Sequence, residues 1–401
     1  MKLGIVTAYP PSKITLNEYA FHLVKHFRSH PDLSSIVVYT DHSVAATSIT
    51  VDAQGCEVTI IPCWKFNGLG NVFSIRAAVK ESRPDVVMYN LQFMKFGDKK
   101  IPAALGLLSP WITRSMRIPT LVLLHNIMET VDLESAGFTS NKIKQQIFGF
   151  IGTVLTRVIL KANMVSVTID SYAKVLATKY KASHVRVIPH GTFETPPMPD
   201  FKPSGNHINI MTFGKFGTYK KVESLIDAVV MLRNTVKPEI SLTIAGTDNP
   251  NALGYLEAVA KQYKDVPGLE FTGYVEEQDV PQIFGKSDVV VFPYTSTTGS
   301  SGVLHQAGSY GKAVVMPNIG DLALLVEDEG YCGEYFDPLS TTSLVQAIQH
   351  LITNDSYRIA MAKRNYKAAA ALSMTHITNT YVTAFQELVE AQQQKSQTAL
   401  I

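Results

Sequence analysis

Short runs of apolar and β-branched residues alternate with segments of three- and four-residue apolar spacing along most of the chain. The runs predict strands at 4–7, 35–39, 58–61, 85–89, 120–124, 164–167 and 185–188. Segments 17–27 and 171–180 between them read as amphipathic helices. Such alternation specifies a parallel sheet covered on both faces. The pattern stops at 194–206, ETPPMPDFKPSGN, where four prolines and no periodicity predict a linker. It then resumes, with strands expected at 208–213, 241–245, 270–272, 288–292 and 313–316. Helices are expected at 222–232, 252–263 and 301–310. In the tail, Ile377, Tyr381, Phe385 and Leu388 fall at helical spacing. They predict a helix over 375–393 that packs back on the first half, with 392–401 frayed. The reading is two doubly wound Rossmann-like domains facing a cleft. Residues 1–193 form the first domain, 194–206 the linker, 207–374 the second domain and 375–401 the returning helix.

Composition narrows the partners. The 401 residues include 36 basic and 34 acidic side chains, a net charge of +2, which gives no case for nucleic acid. Cys56, Cys63 and Cys332 show neither zinc spacing nor a disulfide framework and suit a reducing compartment. Met1-Lys2 leads straight into a strand pattern, so a cytoplasmic location is expected. The longest apolar run, 147–160, is short of the roughly 20 residues a span needs. A core helix is the first expectation there, and a helix resting on a membrane surface the second. Residues 92–119 mix Lys95, Lys99, Lys100, Arg114 and Arg117 with Phe93, Phe96 and Trp111. A loop and helix with a solvated face is the favoured reading; peripheral contact at the inner membrane face stays open. Sequence does not fix the oligomeric state.

The most informative stretch is 287–312, SDVVVFPYTSTTGSSGVLHQAGSYGK. A strand, a loop of small hydroxyl and glycine residues, and a helix start follow in order. Free N–H groups and a helix dipole then point at whatever sits above the strand, and phosphate is the natural guest. An ordinary βα turn is the bland alternative. After the first strand of the second half stand Gly214-Lys215-Phe216-Gly217-Thr218-Tyr219-Lys220-Lys221. Lys215 and Lys220 (or Lys221) could reach that same place and neutralise a departing diphosphate. Gly273-Tyr274-Val275-Glu276 ends another strand, where backbone atoms can meet a nucleotide base. His125-Asn126 ends a buried strand of the first half, and His190-Gly191-Thr192 repeats the theme before the linker. No Walker loop, no G-x-G-x-x-G, no G-x-S-x-G elbow and no metal-ligand cluster occurs.

In order and spacing these motifs resemble the retaining GT-B glycosyltransferases of family 4. The resemblance is most specific over 208–336, through "LIDAV", "TIAGTDNP", "FTGYVEEQDVPQIFGKSDVVVFPY" and "GSSGVLHQAGSYGKAVVMPNIGDLALLVEDEGYCG". It is looser in the first half, through "GIVTAYPP", "LLHN" and "VRVIPHGTFE". It implies a hexosyltransferase that moves a sugar from a nucleotide sugar to an acceptor hydroxyl, with retention and without metal or cofactor. The donor base is undetermined. Lys215 and Lys220 would match the diphosphate-binding pair, and His125 the histidine on the sugar face. The donor site would include Gly214, Val275, Thr298, Gly299, Ser300, Ser301, Gly302, Val303, Leu304 and Gln306. Three departures stand out. The family's E-x7-E falls on Thr298 and Gln306, its N-terminal Gly-Gly loop on Ile14-Thr15, and its usual arginine on Lys215. A catalytically inactive GT-B binding protein and a GT-B sugar-nucleotide epimerase are the rival readings.

Overall fold

The computed structural model describes residues 1–130, 142–249, 251–296 and 301–398. The chain divides into two compact units. The first is Met1–His190 with Met374–Ile401, and the second is Gly191–Ser373.

In the first unit the strands are β1 (Lys2–Val6), β2 (Ser35–Asp41), β3 (Thr47–Ile49), β4 (Glu57–Trp64), β5 (Val86–Leu91), β6 (Thr120–Leu124), β7 (Met164–Val167) and β8 (Val185–Val187). The helices are α1 (Asn17–Arg28), α2 (Asn71–Ser82), α3 (Lys100–Gly106), α4 (Ser109–Ser115), α5 (Lys142–Ile159) and α6 (Asp170–Tyr180). The strand order is β3-β4-β2-β1-β5-β6-β7-β8. Pairing is parallel throughout except for β3, which runs antiparallel to β4 at the edge. β5 and β6 are buried along their whole length, which is why they read as unbroken apolar runs.

The second unit runs β9 (His207–Phe216), α7 (Glu223–Arg233), β10 (Glu239–Asp248), α8 (Tyr255–Gln262), β11 (Leu269–Gly273), α9 (Val280–Lys286) and β12 (Val289–Val291). It continues with α10 (Gly302–Ser309), β13 (Ala313–Pro317), α11 (Gly320–Asp328), β14 (Glu334–Phe336), α12 (Thr341–Ile352) and α13 (Asp355–Ala371). Its sheet is parallel, in the order β11-β10-β9-β12-β13-β14. One core joins Ile210, Leu242, Ile244, Val289 and Val315 of the strands to Leu225, Ile226 and Val229 of α7 and Leu344 and Ile348 of α12. Ser340 and Asn354 cap α12 and α13 by accepting from the N–H groups of Ser343 and Tyr357.

Both sheets reverse their strand order once, between β1 and β5 and between β9 and β12. In a doubly wound sheet, ligands bind outside the carboxyl ends of the strands at that reversal.

The structure departs from the sequence expectations at identifiable places. Strand β9 runs on to Phe216, so Gly214 and Lys215 are strand residues paired with Gly246 and Thr247, not loop residues. Edge strands β3 and β14 carry too few residues for a periodicity to show. Segment 194–206 has no regular secondary structure but lies along the second unit: the Tyr366 hydroxyl donates to the Pro196 carbonyl at 2.8 Å. The tail is helical to Thr398, so the fraying expected from 392 is not seen there. This is α14 (Met374–Thr398). Its buried face, with Ile377, Tyr381 and Phe385, sits on Phe27 of α1 at ring separations of 6.3 and 5.7 Å. Each such ring contributes roughly 1.5–3 kcal/mol by leaving water.

Candidate functional site

At the carboxyl end of β9 the backbone turns through Gly214 (φ 142°) and Gly217 (φ 106°), conformations that side chains disfavour. Gly246 of β10 (φ 135°) lies so close that a methyl group there would sit 1.9 Å from the Gly214 carbonyl oxygen. The glycines thus let the ends of β9 and β10 approach backbone to backbone.

The loop after β9 meets the loop after β12 through an antiparallel bridge between Lys220 and Tyr294. Thr295 N–H donates to the Tyr219 carbonyl at 2.8 Å and fixes the same junction. The junction spans the strand-order reversal. Lys220 is half-buried in it, with Nζ 4.5 Å from the centre of the Tyr294 ring and 5.8 Å from that of Tyr219. A methyl group on Gly214 would come within 3.2 Å of that ammonium. Burial lowers the Lys220 pKa, and only Tyr219 opposes the shift. Among the described residues no carboxylate pairs with Lys220. Lys215 is exposed on the strand beside it.

Helix α10 opens next to this junction. Ser301 precedes it in extended conformation and gives no side-chain cap; its carbonyl accepts from the N–H groups of Leu304 and His305, which leaves Gly302 and Val303 as the uncapped start of the helix. Burial raises the pKa of the Tyr294 phenol, with the Ser301 side chain acting in the other direction. Gly302, Val303 and Gln306 are half-buried on the helix. The Leu304 side chain is wholly in the core and its N–H donates to the Ser301 carbonyl at 3.0 Å, so neither is turned to a ligand. Behind the helix, His305 Nδ1 and the Tyr331 hydroxyl lie 2.9 Å apart, and the buried Glu329 carboxyl lies 3.5 Å from Nε2. Burial pushes the Glu329 carboxyl up to about 9. Thr298, Gly299 and Ser300 lie outside the described residues. Val275 follows β11, half-buried, in a segment without regular structure.

The first unit places His125 at the end of β6. A hydrogen-bond chain sets its tautomer. The Thr7 hydroxyl donates to the Ala8 carbonyl at 3.0 Å and so accepts from Asn90 Nδ2, also at 3.0 Å. Asn90 Oδ1 then faces His125 Nε2 at 2.7 Å, and Nε2 must carry the proton. Burial holds the His125 pKa well below the usual histidine value, with His190 and Lys95 adding to the effect, so the ring is neutral. Nδ1 is left as an acceptor. The Tyr19 ring meets His125 edge to face at 5.0 Å and lies tilted against His190 at 4.3 Å.

Sequence reasoning missed Tyr294, Asn90 and Lys95. Tyr294 follows β12 within "FPY", a position at a strand end that could have been flagged. Lys95 looked like part of a solvated face, yet it is buried, and its Nζ donates to the Thr15 carbonyl at 2.7 Å. Gln92 donates to the Thr15 hydroxyl as well. Phe93 and Phe96 are core residues, while Trp111, Lys99, Lys100, Arg114 and Arg117 are exposed. The solvated-face reading therefore holds for 99–117 and fails for 93–96.

Residues 207–354 match the family described as glycosyl transferases group 1. An uncharacterized glycosyltransferase of Methanocaldococcus jannaschii is 30% identical over 153 residues, 38% of either chain. A phosphatidyl-myo-inositol mannosyltransferase of Propionibacterium freudenreichii is 23% identical over 145 residues, 36% of this chain and 35% of its own. The match thus spans well under half the length of either relative. Sucrose-phosphate synthase from Thermosynechococcus elongatus superposes with a TM-score of 0.71 at 17% identity, covering 98% of this chain and 100% of its own. Anabaena Alr3699/HepE, solved in complex with UDP, gives 0.68 at 16%, covering 96% and 99%. The chain has the GT-B fold, two parallel-sheet α/β domains. Residues 207–354, within its second unit, are similar to glycosyl transferases group 1.

Proposed function

We propose that the protein is a retaining, metal-independent glycosyltransferase that moves a hexose from a nucleoside-diphosphate donor to an acceptor hydroxyl. The observation that carries this reading is Lys220. A lysine withdrawn from water at a strand-order reversal, with aromatic rings and, among the described residues, no carboxylate paired with it, is arranged for an anion that arrives from outside. An uncapped helix start beside it suits the same anion. HepE has been solved with UDP-glucose, and its fold is shared.

In this reading the diphosphate lies over Gly214, between Lys220, Lys215 and the first N–H groups of α10. As the bond from the anomeric carbon to the phosphate oxygen breaks, negative charge gathers on the diphosphate. The two lysines stabilise it, and this is the main catalytic contribution. The acceptor hydroxyl attacks the anomeric carbon from the face the phosphate leaves, and its proton passes to a phosphate oxygen. The nucleoside side falls to Val275 and Gln306, whose amide can bond a ribose hydroxyl. The acceptor belongs to the first unit, and His125 Nδ1 is suited to accept a hydrogen bond from a sugar hydroxyl.

Incubation with UDP-, GDP- and ADP-sugars, with nucleotide release measured with and without acceptor sugars, tests the proposal. Lys220→Ala should abolish transfer and leave the circular dichroism spectrum unchanged. Near-normal turnover in that variant would sink the assignment. Binding of a nucleotide sugar without any turnover would favour the inactive binding protein. Nucleotide release with no acceptor product would favour the epimerase.

A further inference from the structure

Helices α2, α3 and α4 of the first unit pack on one another, and α4 packs on α5, so the four form one helical layer. That layer exposes large apolar side chains on every helix. Phe73 of α2 is 74% exposed, Ile101 of α3 69%, Trp111 of α4 40% and Phe150 of α5 69%. On α5, Ile147, Ile151 and Val154 are exposed with Phe150, a stripe at helical spacing on the outer face. The helix expected to be a core helix therefore turns an apolar face outward.

Charge is distributed unevenly around this layer. Residues 66–118 and 146–162 hold ten Lys and Arg against three Asp and Glu, although the whole chain carries 36 against 34. Of the ten only Lys95 is buried. Lys161 lies over the Trp111 ring at 4.4 Å, an aromatic and a cation presented together. No helix of the described residues is long and apolar enough to cross a membrane.

We propose that this layer docks on the surface of an anionic lipid bilayer, with the α5 stripe and Trp111 in the headgroup region and the basic side chains on lipid phosphates. Isolated apolar side chains set among cations on several helices fit a flat, fluid, anionic surface. A second copy of the chain fits poorly, because a two-fold contact through this layer would set basic residues against basic residues. The inference is independent of the donor-site reading.

The test is cosedimentation of the full chain with phosphatidylcholine vesicles, with and without phosphatidylglycerol, at low ionic strength. Trp64 is fully buried and Trp111 is the only other tryptophan, so brominated lipid should quench Trp111 selectively. Binding to the anionic vesicles only, with quenching, is the expected result. Arg76→Gln and Arg157→Gln should each weaken binding by roughly fivefold. The pair Phe150→Ser and Ile151→Ser should weaken it by about tenfold or more while leaving the circular dichroism spectrum unchanged. No binding to anionic vesicles, equal binding to neutral ones, or absence of quenching overturns the proposal. So does a concentration-dependent dimer that Phe150→Ser abolishes, which would give the face to a second copy.

Discussion

At the reversal between β1 and β5, Lys95 and Gln92 both bond to Thr15 and tie the two strand-end loops together. At the reversal between β9 and β12, Lys220 stands between two loops with tyrosine rings as its neighbours. Both lysines lose water, and burial lowers both pKa values, that of Lys95 to about 7. Among the described residues, only Lys95 of the two has a protein oxygen on its ammonium group. Cation–π contact with Tyr294 is worth about 2 kcal/mol when desolvated, which does not replace the hydration of an ammonium. In the proposed function this difference separates a structural lysine from a binding one: burial is common to both, and among the described residues only Lys95 has an acceptor.

The geometry under Lys220 can be broken most severely at Gly246. Gly246→Ala places a methyl group on the Gly214 carbonyl at a backbone angle that alanine disfavours. A loss of about 3 kcal/mol or more is expected in urea unfolding, and diphosphate binding should fall with it. A loss below about 1 kcal/mol would show that the two strand ends relax independently.

Next in size is Asn90→Ala in the first unit. It removes the partner of His125 Nε2 and of Thr7, at a cost of about 1–3 kcal/mol by the same measurement. Nucleotide affinity should not change, since the donor is assigned to the second unit. Lys95→Met keeps the stem and removes the buried charge. Stability near neutral pH should move by less than about 1.5 kcal/mol, with nucleotide affinity again unaltered.

The pH dependence has opposite signs in the two units. The folded chain holds Lys95 near 7 against an ordinary 10.5, so the unfolded chain binds more protons between these values. Its contribution to stability rises with pH across that window. Glu329 is held near 9 against 4.5, so the folded chain binds more protons there and the contribution falls as pH rises from 4.5 to 9. Thermal unfolding from pH 5 to 9 should show Glu329→Gln gaining on the wild type as pH increases. A constant difference between the two would remove Glu329 from the account.

Much of this was legible in the sequence, and the rest was not for physical reasons. Strands β6 and β7 were placed to the residue because a strand buried on both faces is written as an unbroken apolar run. Edge strands β3 and β14 leave no such mark. The α10 start and the glycines at the end of β9 could be located because small residues after an apolar run end a strand. Lys95 could not, because a buried lysine and a solvated one are the same letter. Tyr294 gained meaning only when the β-bridge put it against Lys220, a long-range pairing that no local pattern encodes.

The central claim is that Lys220 holds the diphosphate. Calorimetric titration of wild type and Lys220→Met with whichever of UDP, GDP and ADP binds the wild type best tests it directly. Removing one charged partner should weaken binding at least about tenfold, in line with the 1.5–3 kcal/mol of a charge-assisted hydrogen bond, with no loss of stability. Equal affinity in the two proteins would contradict it.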